Sequence, residues 1–187
     1  MKKNVVLIVF LLVLAVSLSG CVDFLNQDPG QQREDEAEAY AEEINASTYN
    51  GNGFSFNYPR NWVSYNVPEW TVTLGDPNDN STYIYVDTRQ LAANETAKGL
   101  LDQAIAEIQA DSTRNITIVS RESITISNVP YNIVVVNEVV DGNEIKYIQA
   151  WLENNKIAYL LGGVSTPQRF EEVNKTFSMF IYSFEFE

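Results

Sequence analysis

The 187-residue sequence contains no histidine. That absence excludes Ser-His-Asp and Cys-His catalytic arrangements, along with zinc sites built on imidazole. There is one cysteine, Cys21, so no internal disulfide can form and the folded part must rest on a hydrophobic core. At 45% hydrophobic residues the chain has the material for one. Basic residues are scarce: 12 Lys and Arg stand against 25 Asp and Glu, a net charge of −13. Phosphates repel such a chain, which argues against nucleic acid as a partner and against lying flat on anionic lipid. The balance suits a self-repelling, soluble exterior, or attraction to cations and basic partners.

What is present begins with MKKNVVLIVFLLVLAVSLSGC, in which Lys2 and Lys3 precede an unbroken apolar run from Val5 to Val16. The run is shorter than the about 20 apolar residues of a membrane span. Its charged start, apolar middle and small residues Ser19 and Gly20 have the form of a secretory signal peptide over residues 1–20. An uncleaved anchor is the alternative. Leu18-Ser19-Gly20-Cys21 resembles a lipobox, the cleavage and lipidation site of surface lipoproteins. That resemblance implies a lipid on the Cys21 sulfur and a location at the extracytoplasmic face of the cell membrane. Two chains would hold the protein stably, whereas one is marginal.

Residues 21–50 are expected to be the lipidated cysteine followed by an acidic, flexible tether. In VDFLNQDPGQQREDEAEAYAEEINASTYN eight acids face one arginine, with few large apolar residues to order the segment. Residues 31–44 are rich in Glu, Ala and Gln and open to transient helix. As coil the segment would span roughly 30 Å.

From Gly51 the pattern changes. GFSFNYPRNWV places Phe54, Phe56 and Tyr58 on one strand face, then turns at Pro59 toward Trp62. A meander of strands follows to Gln90. Asn94 is the expected cap of a helix whose Ala97, Leu100, Leu101, Ala104, Ile105 and Ile108 form one stripe. Four strands are predicted between residues 115 and 163, reversing at Asn128-Val129-Pro130, Asp141-Gly142-Asn143 and Asn154-Asn155. Thr166 and Pro167 open a terminal helix with an aromatic stripe that reads as core.

This order, opened by Gly53, Phe54, Phe56, Tyr58, Pro59 and Trp62 and closed by Tyr-Ser-Phe, resembles the PsbP family, named for an extrinsic subunit of photosystem II. The resemblance covers roughly residues 51–187, the expected domain. It implies an α+β fold, an antiparallel β-sheet flanked by helices in an α/β/α sandwich, and a binding or assembly role at membranes rather than catalysis. The photosystem subunit is linked with calcium retention and conserved histidines. This chain lacks the histidines, and a photosynthetic role is not carried over on fold alone.

Several residues invite chemistry. Asp76, Asn78 and Asn80, with Asp87 further on, space oxygen ligands as a calcium loop does. Against it, Ser81 stands where such loops have Gly and Asp87 where they have Glu. Gly162-Gly163, expected between a strand and a helix, has the form of an anion cradle or a plain turn. Asn45, Asn80, Asn94, Asn115 and Asn174 begin glycosylation sequons. Trp62, Trp70 and Trp151 read as sheet-to-helix packing before ligand stacking. No nucleophile-base pair stands out. The reading is therefore a lipid-anchored, non-catalytic module that binds an unidentified protein partner or assists assembly of a membrane or envelope complex. Its alternatives are a small-ligand or calcium-binding surface lipoprotein and, less favoured, a histidine-free hydrolase.

Overall fold

The computed structural model describes residues 28–187 apart from Ser112 and Arg114; Cys21 and the signal segment lie outside them. In chain order the first elements are α1 (Pro29–Glu43), β1 (Ser47–Gly51), β2 (Phe54–Tyr58), β3 (Val63–Ser64), β4 (Val72–Gly75) and β5 (Tyr83–Gln90). There follow α2 (Ala97–Ala110), β6 (Asn115–Ile126), β7 (Val129–Val140), β8 (Asn143–Asn154), β9 (Ile157–Ser165), α3 (Pro167–Tyr182) and β10 (Glu185–Phe186).

Tight reversals set the register. Asn52-Gly53, Ser127-Asn128, Asp141-Gly142 and Asn155-Lys156 each hold both residues at positive φ, the mirror-image turn whose twist matches the flanking strands. The three expected reversals are each tighter or shifted; Asn143, expected in a turn, begins β8. Val129 and Pro130 begin β7 instead of turning, because a β-branched residue and a proline do not adopt positive φ. Asn154 is the last residue of β8, and Lys156 takes the second turn position.

The pairs join into an antiparallel seven-stranded sheet of order β3-β4-β5-β9-β8-β7-β6, beside a three-stranded sheet β1-β2-β10. One face of the large sheet packs on α3 and the small sheet, with Phe54, Phe56, Leu152, Leu161, Phe177 and Phe180 at the centre. Helix α2 covers part of the other face, through Leu101 and Ile105 on Val134 and Val136 and through Leu100 and Ala97 on Ala158. The α+β, α/β/α expectation holds, as does the core assignment of Phe54, Phe56 and Trp62. At the corner, the Trp62 amide donates to the Pro59 carbonyl at 2.9 Å.

The tether does not hold for residues 29–50, which are folded. Asp28 caps α1 by accepting from the Gly30 amide at 2.8 Å, with Pro29 at the first position. Ala37 and Ala41 are buried against α3, and small residues there let two helices approach closely. Gly30 abuts the edge of β6: a Cβ there would lie 2.1 Å from the Thr125 carbonyl oxygen. The one arginine of the segment, Arg33, donates to both Glu122 carboxylate oxygens (2.7 and 3.0 Å) and to Tyr182 Oη (2.8 Å). Next in the chain, β1 pairs with β2 along its whole length. The described fold therefore includes residues 29–50, ahead of the expected start at Gly51.

The cap of α2 is Thr96, whose Oγ1 accepts from the Gly99 amide at 3.0 Å, rather than Asn94. Thr166 and Pro167 open α3 as expected. Gly162 and Gly163 lie inside β9, neither a turn nor a cradle. A Cβ on Gly162 would meet the Tyr85 ring at 2.1 Å, and one on Gly163 the Phe177 ring at 2.6 Å. The two glycines make room for one aromatic ring on each face of the sheet.

Candidate functional site

Of the expected calcium ligands, Asp76 and Asn78 meet, with Asn78 Nδ2 donating to Asp76 Oδ1 at 3.3 Å, while Asp87 stands apart. Asp76 Oδ1 accepts from the Asn78 amide at 2.9 Å, and Oδ2 accepts from Arg169 Nη2 at 3.0 Å. Asp79 Oδ1 accepts from the Ser81 amide (3.0 Å) and Ser81 Oγ (2.5 Å), while Oδ2 accepts from Thr82 Oγ1 at 2.7 Å. Those hydroxyl bonds, with lesser help from Arg169, hold the Asp79 carboxyl below its ordinary pKa. The loop's carboxylates thus face hydroxyls, amides and a guanidinium. Asn80 is exposed beside them. Asp87 stands roughly 13 Å along β5 from Tyr83, the partner of Gly75, at about 3.4 Å per residue. Among the described residues no group of three or more Cys, Asp and Glu is placed to hold a metal ion.

The five sequon asparagines, Asn45, Asn80, Asn94, Asn115 and Asn174, are all exposed. Asn45 Oδ1 accepts from Arg60 Nη2 at 2.9 Å. The tryptophans divide: Trp62 is core, Trp151 packs under α2 while remaining half-buried, and Trp70 lies under no helix. From the loop before β4, Trp70 stacks flat on Tyr85 (centroids 4.2 Å, planes at 14°) and Tyr83 (5.6 Å).

These rings belong to the sheet face that α2 only partly covers. Tyr83, Tyr85, Asp87 and Arg89 alternate onto this face from β5; their register partners bring Leu160 and Ala158 from β9, then Gln149 and Trp151 from β8. Gln149 Nε2 donates to Tyr85 Oη at 2.8 Å, and its Oε1 accepts from Trp151 Nε1 at 3.4 Å. This link fixes both aromatic residues. Burial pushes the Tyr85 and Tyr83 hydroxyls up, so they remain neutral donors and acceptors at any physiological pH.

Between this face and α2 lies a cleft of about 250 Å³. Trp151, Leu160 and Ala158 line it from the sheet, with Asp87 and Arg89 from β5, and Leu100, Gln103, Ala104 and Glu107 from α2. Arg89 is already taken, at 3.0 Å, by Glu95. Asp87 is not: burial raises its pKa, against one favourable bond from the Thr88 backbone, and no basic group pairs with it among the described residues. Glu107 accepts from Gln103 Nε2 at 2.8 Å. A half-buried carboxylate beside an indole and two apolar side chains favours a cationic group that carries hydrocarbon.

Sequence reasoning named Asp87 for a different role and missed the cleft. Its lining comes from four elements whose adjacency depends on the β5-β9-β8 strand order, which has no local signal.

The sequence matches a family described as PsbP-like protein over residues 5–186. The fold is similar to the solution structure of cyanobacterial PsbP (CyanoP) from Synechocystis sp. PCC 6803, with a TM-score of 0.62 and 17% identity over 76% of this chain and 92% of that one. It is also similar to LpqN, involved in cell envelope biogenesis of Mycobacterium tuberculosis, with a TM-score of 0.54 and 10% identity over 77% and 94% of the two chains. A crystal structure from Bacteroides thetaiotaomicron VPI-5482 has a TM-score of 0.53 and 15% identity over 76% of this chain and 48% of that one, so this chain spans about half of it. At these identities the likeness concerns the fold. No curated protein is significantly similar in sequence.

Proposed function

This chain belongs to the PsbP-like family, and from that premise we propose that it is a non-catalytic binding module, lipid-anchored outside the cytoplasmic membrane, which docks a protein partner of a membrane or envelope complex. The observation that carries this reading is the partly covered sheet face. On this face α2 covers only part of the sheet and leaves an aromatic array, fixed through Gln149, beside a cleft. Rigid aromatic residues beside a pocket are the usual anchors of protein recognition.

The fold boundary bears on the anchor. A lipid on Cys21 would hold the first turn of α1, at Pro29, within about 30 Å of the bilayer surface, at about 3.3–3.6 Å per residue. That reach favours a partner embedded in or lying on the same membrane. Lipidation is tested by metabolic labelling with a fatty-acid analogue: the parent chain is expected to take up the label and Cys21→Ala to lose it, whereas an unlabelled parent would rule out the lipid anchor. Partner docking is tested by crosslinking in intact cells followed by mass spectrometry. A recurrent membrane-protein partner is expected, and crosslinks confined to random neighbours would overturn the reading.

A further inference from the structure

We infer that the cleft between α2 and strands β5, β9 and β8 receives a basic side chain, lysine or arginine, presented by the partner protein. The inference rests on the partner-binding reading and adds the chemistry of the contact.

Size comes first. At about 250 Å³ the cleft is smaller than the roughly 300–1,000 Å³ of pockets that hold drug-sized ligands. It suits one long side chain. Its lining then selects which one. Leu160 and Ala158 offer apolar surface to a hydrocarbon stem, as long charged side chains require. Trp151 supplies the aromatic ring that attracts cations most strongly, and its indole is held in place through Gln149 to Tyr85. Asp87 supplies a half-buried carboxylate with no basic partner among the described residues. An incoming ammonium or guanidinium would give it a charge-assisted hydrogen bond in a site partly shielded from water.

The other charges agree. Glu107 stands on the α2 wall and adds a second negative charge. Arg89, the one cation of the lining, is neutralised by Glu95, whose second oxygen accepts from the Ala92 amide at 2.9 Å. Glu153, on the same side of β8, is committed to the Ala97 amide at the start of α2, at 2.8 Å. An anionic side chain would meet Asp87 and Glu107 unpaired, and the net charge of −13 repels it at a distance. A neutral apolar side chain would leave the Asp87 carboxylate desolvated and unmatched.

Two measurements test this. In the first, the full-length chain in detergent micelles is titrated with N-acetyl-lysinamide and with its neutral isostere N-acetyl-norleucinamide. The readout is the Trp151 indole N–H resonance, assigned through its loss in Trp151→Phe. The lysine probe is expected to shift this resonance with an apparent affinity about tenfold above the neutral one. Asp87→Asn should remove that preference, while Asp141→Asn, at the distant β7–β8 turn, should keep it. Equal responses to both probes, or a preference that survives Asp87→Asn in a protein with an otherwise unchanged spectrum, would overturn the inference.

In the second, a photo-crosslinking residue replaces exposed Gln103 on the cleft wall, and others replace exposed positions on the opposite side of the molecule, such as Glu43. Capture from Gln103, lost when a single lysine or arginine of the captured protein is changed to glutamine, supports the inference. Capture only from the opposite side overturns the inference and leaves the partner-binding reading standing. Capture from neither overturns that reading, and with it the inference.

Discussion

Asp79 gathers an amide and two hydroxyls within three residues of chain, and Thr82, one of those donors, in turn accepts from buried Ser165 Oγ at 2.7 Å. The carboxylate therefore ties the β4–β5 loop to the end of β9, with Arg169 of α3 3.6 Å away. Asp79→Asn keeps one acceptor oxygen but removes the charge, at an expected cost of about 2 kcal/mol for hydrogen bonds to a charged group. The sign of the pH dependence follows from the depressed pKa. Such a group contributes stability that is present above the unfolded-state value of about 4 and lost as pH falls through the folded value. The gap in denaturation midpoint between the parent and Asp79→Asn should therefore be widest near pH 7 and narrow toward about pH 3. A gap that stays constant over that range would show that the charge contributes nothing.

In helix α1 composition and pattern disagree. Eight acids and few large apolar residues signal a solvated segment, yet Gly30, Arg33, Ala37, Tyr40, Ala41 and Ile44 recur at helical spacing, and Asp28-Pro29 is a capping pair. That stripe holds three small residues and an arginine, with only Tyr40 and Ile44 large and apolar, so a hydrophobicity count overlooks it. Asn52-Gly53 was an equally legible hairpin signal between β1 and β2. Packing depends on Arg33, whose guanidinium bridges Glu122 of β6 and Tyr182 of α3. Because both ion-pair partners are about a third or more exposed, Arg33→Ala should cost only about 1 kcal/mol. The loss should appear locally: amide exchange in α1 is expected to rise about fivefold while the β7 and β8 amides stay protected. Unchanged exchange in α1 would mean that Ala37, Ala41 and Tyr40 hold the helix without the arginine.

At the scale of the molecule, the fold class and the Phe54-Phe56-Trp62 core were legible because alternation and aromatic spacing report which face is buried. Strand order was not, since β9 enters between β5 and β8 through contacts distant in sequence, and the cleft inherits that opacity. The N-terminal boundary is the part that matters most for how the molecule is prepared. A chain starting at Gly51 lacks α1 and β1, which leaves β2 paired only with the two-residue β10. It also loses Tyr49, whose ring stacks on Phe56 at 5.0 Å and Phe54 at 5.7 Å, and exposes the α3 surface that Ala37 and Ala41 cover. Large buried side chains contribute about 1.5–3 kcal/mol each, so a total loss of about 4 kcal/mol is expected. At about 2–4 °C per kcal/mol this corresponds to a fall in Tm of roughly 10 °C relative to a chain starting at Asp28. The shorter chain should also bind a hydrophobic dye as its aromatic core opens. Equal melting temperatures and equal cooperativity would mean that the aromatic core closes without the first helix and strand, and that Pro29–Gly51 is an attachment to the domain instead of part of it.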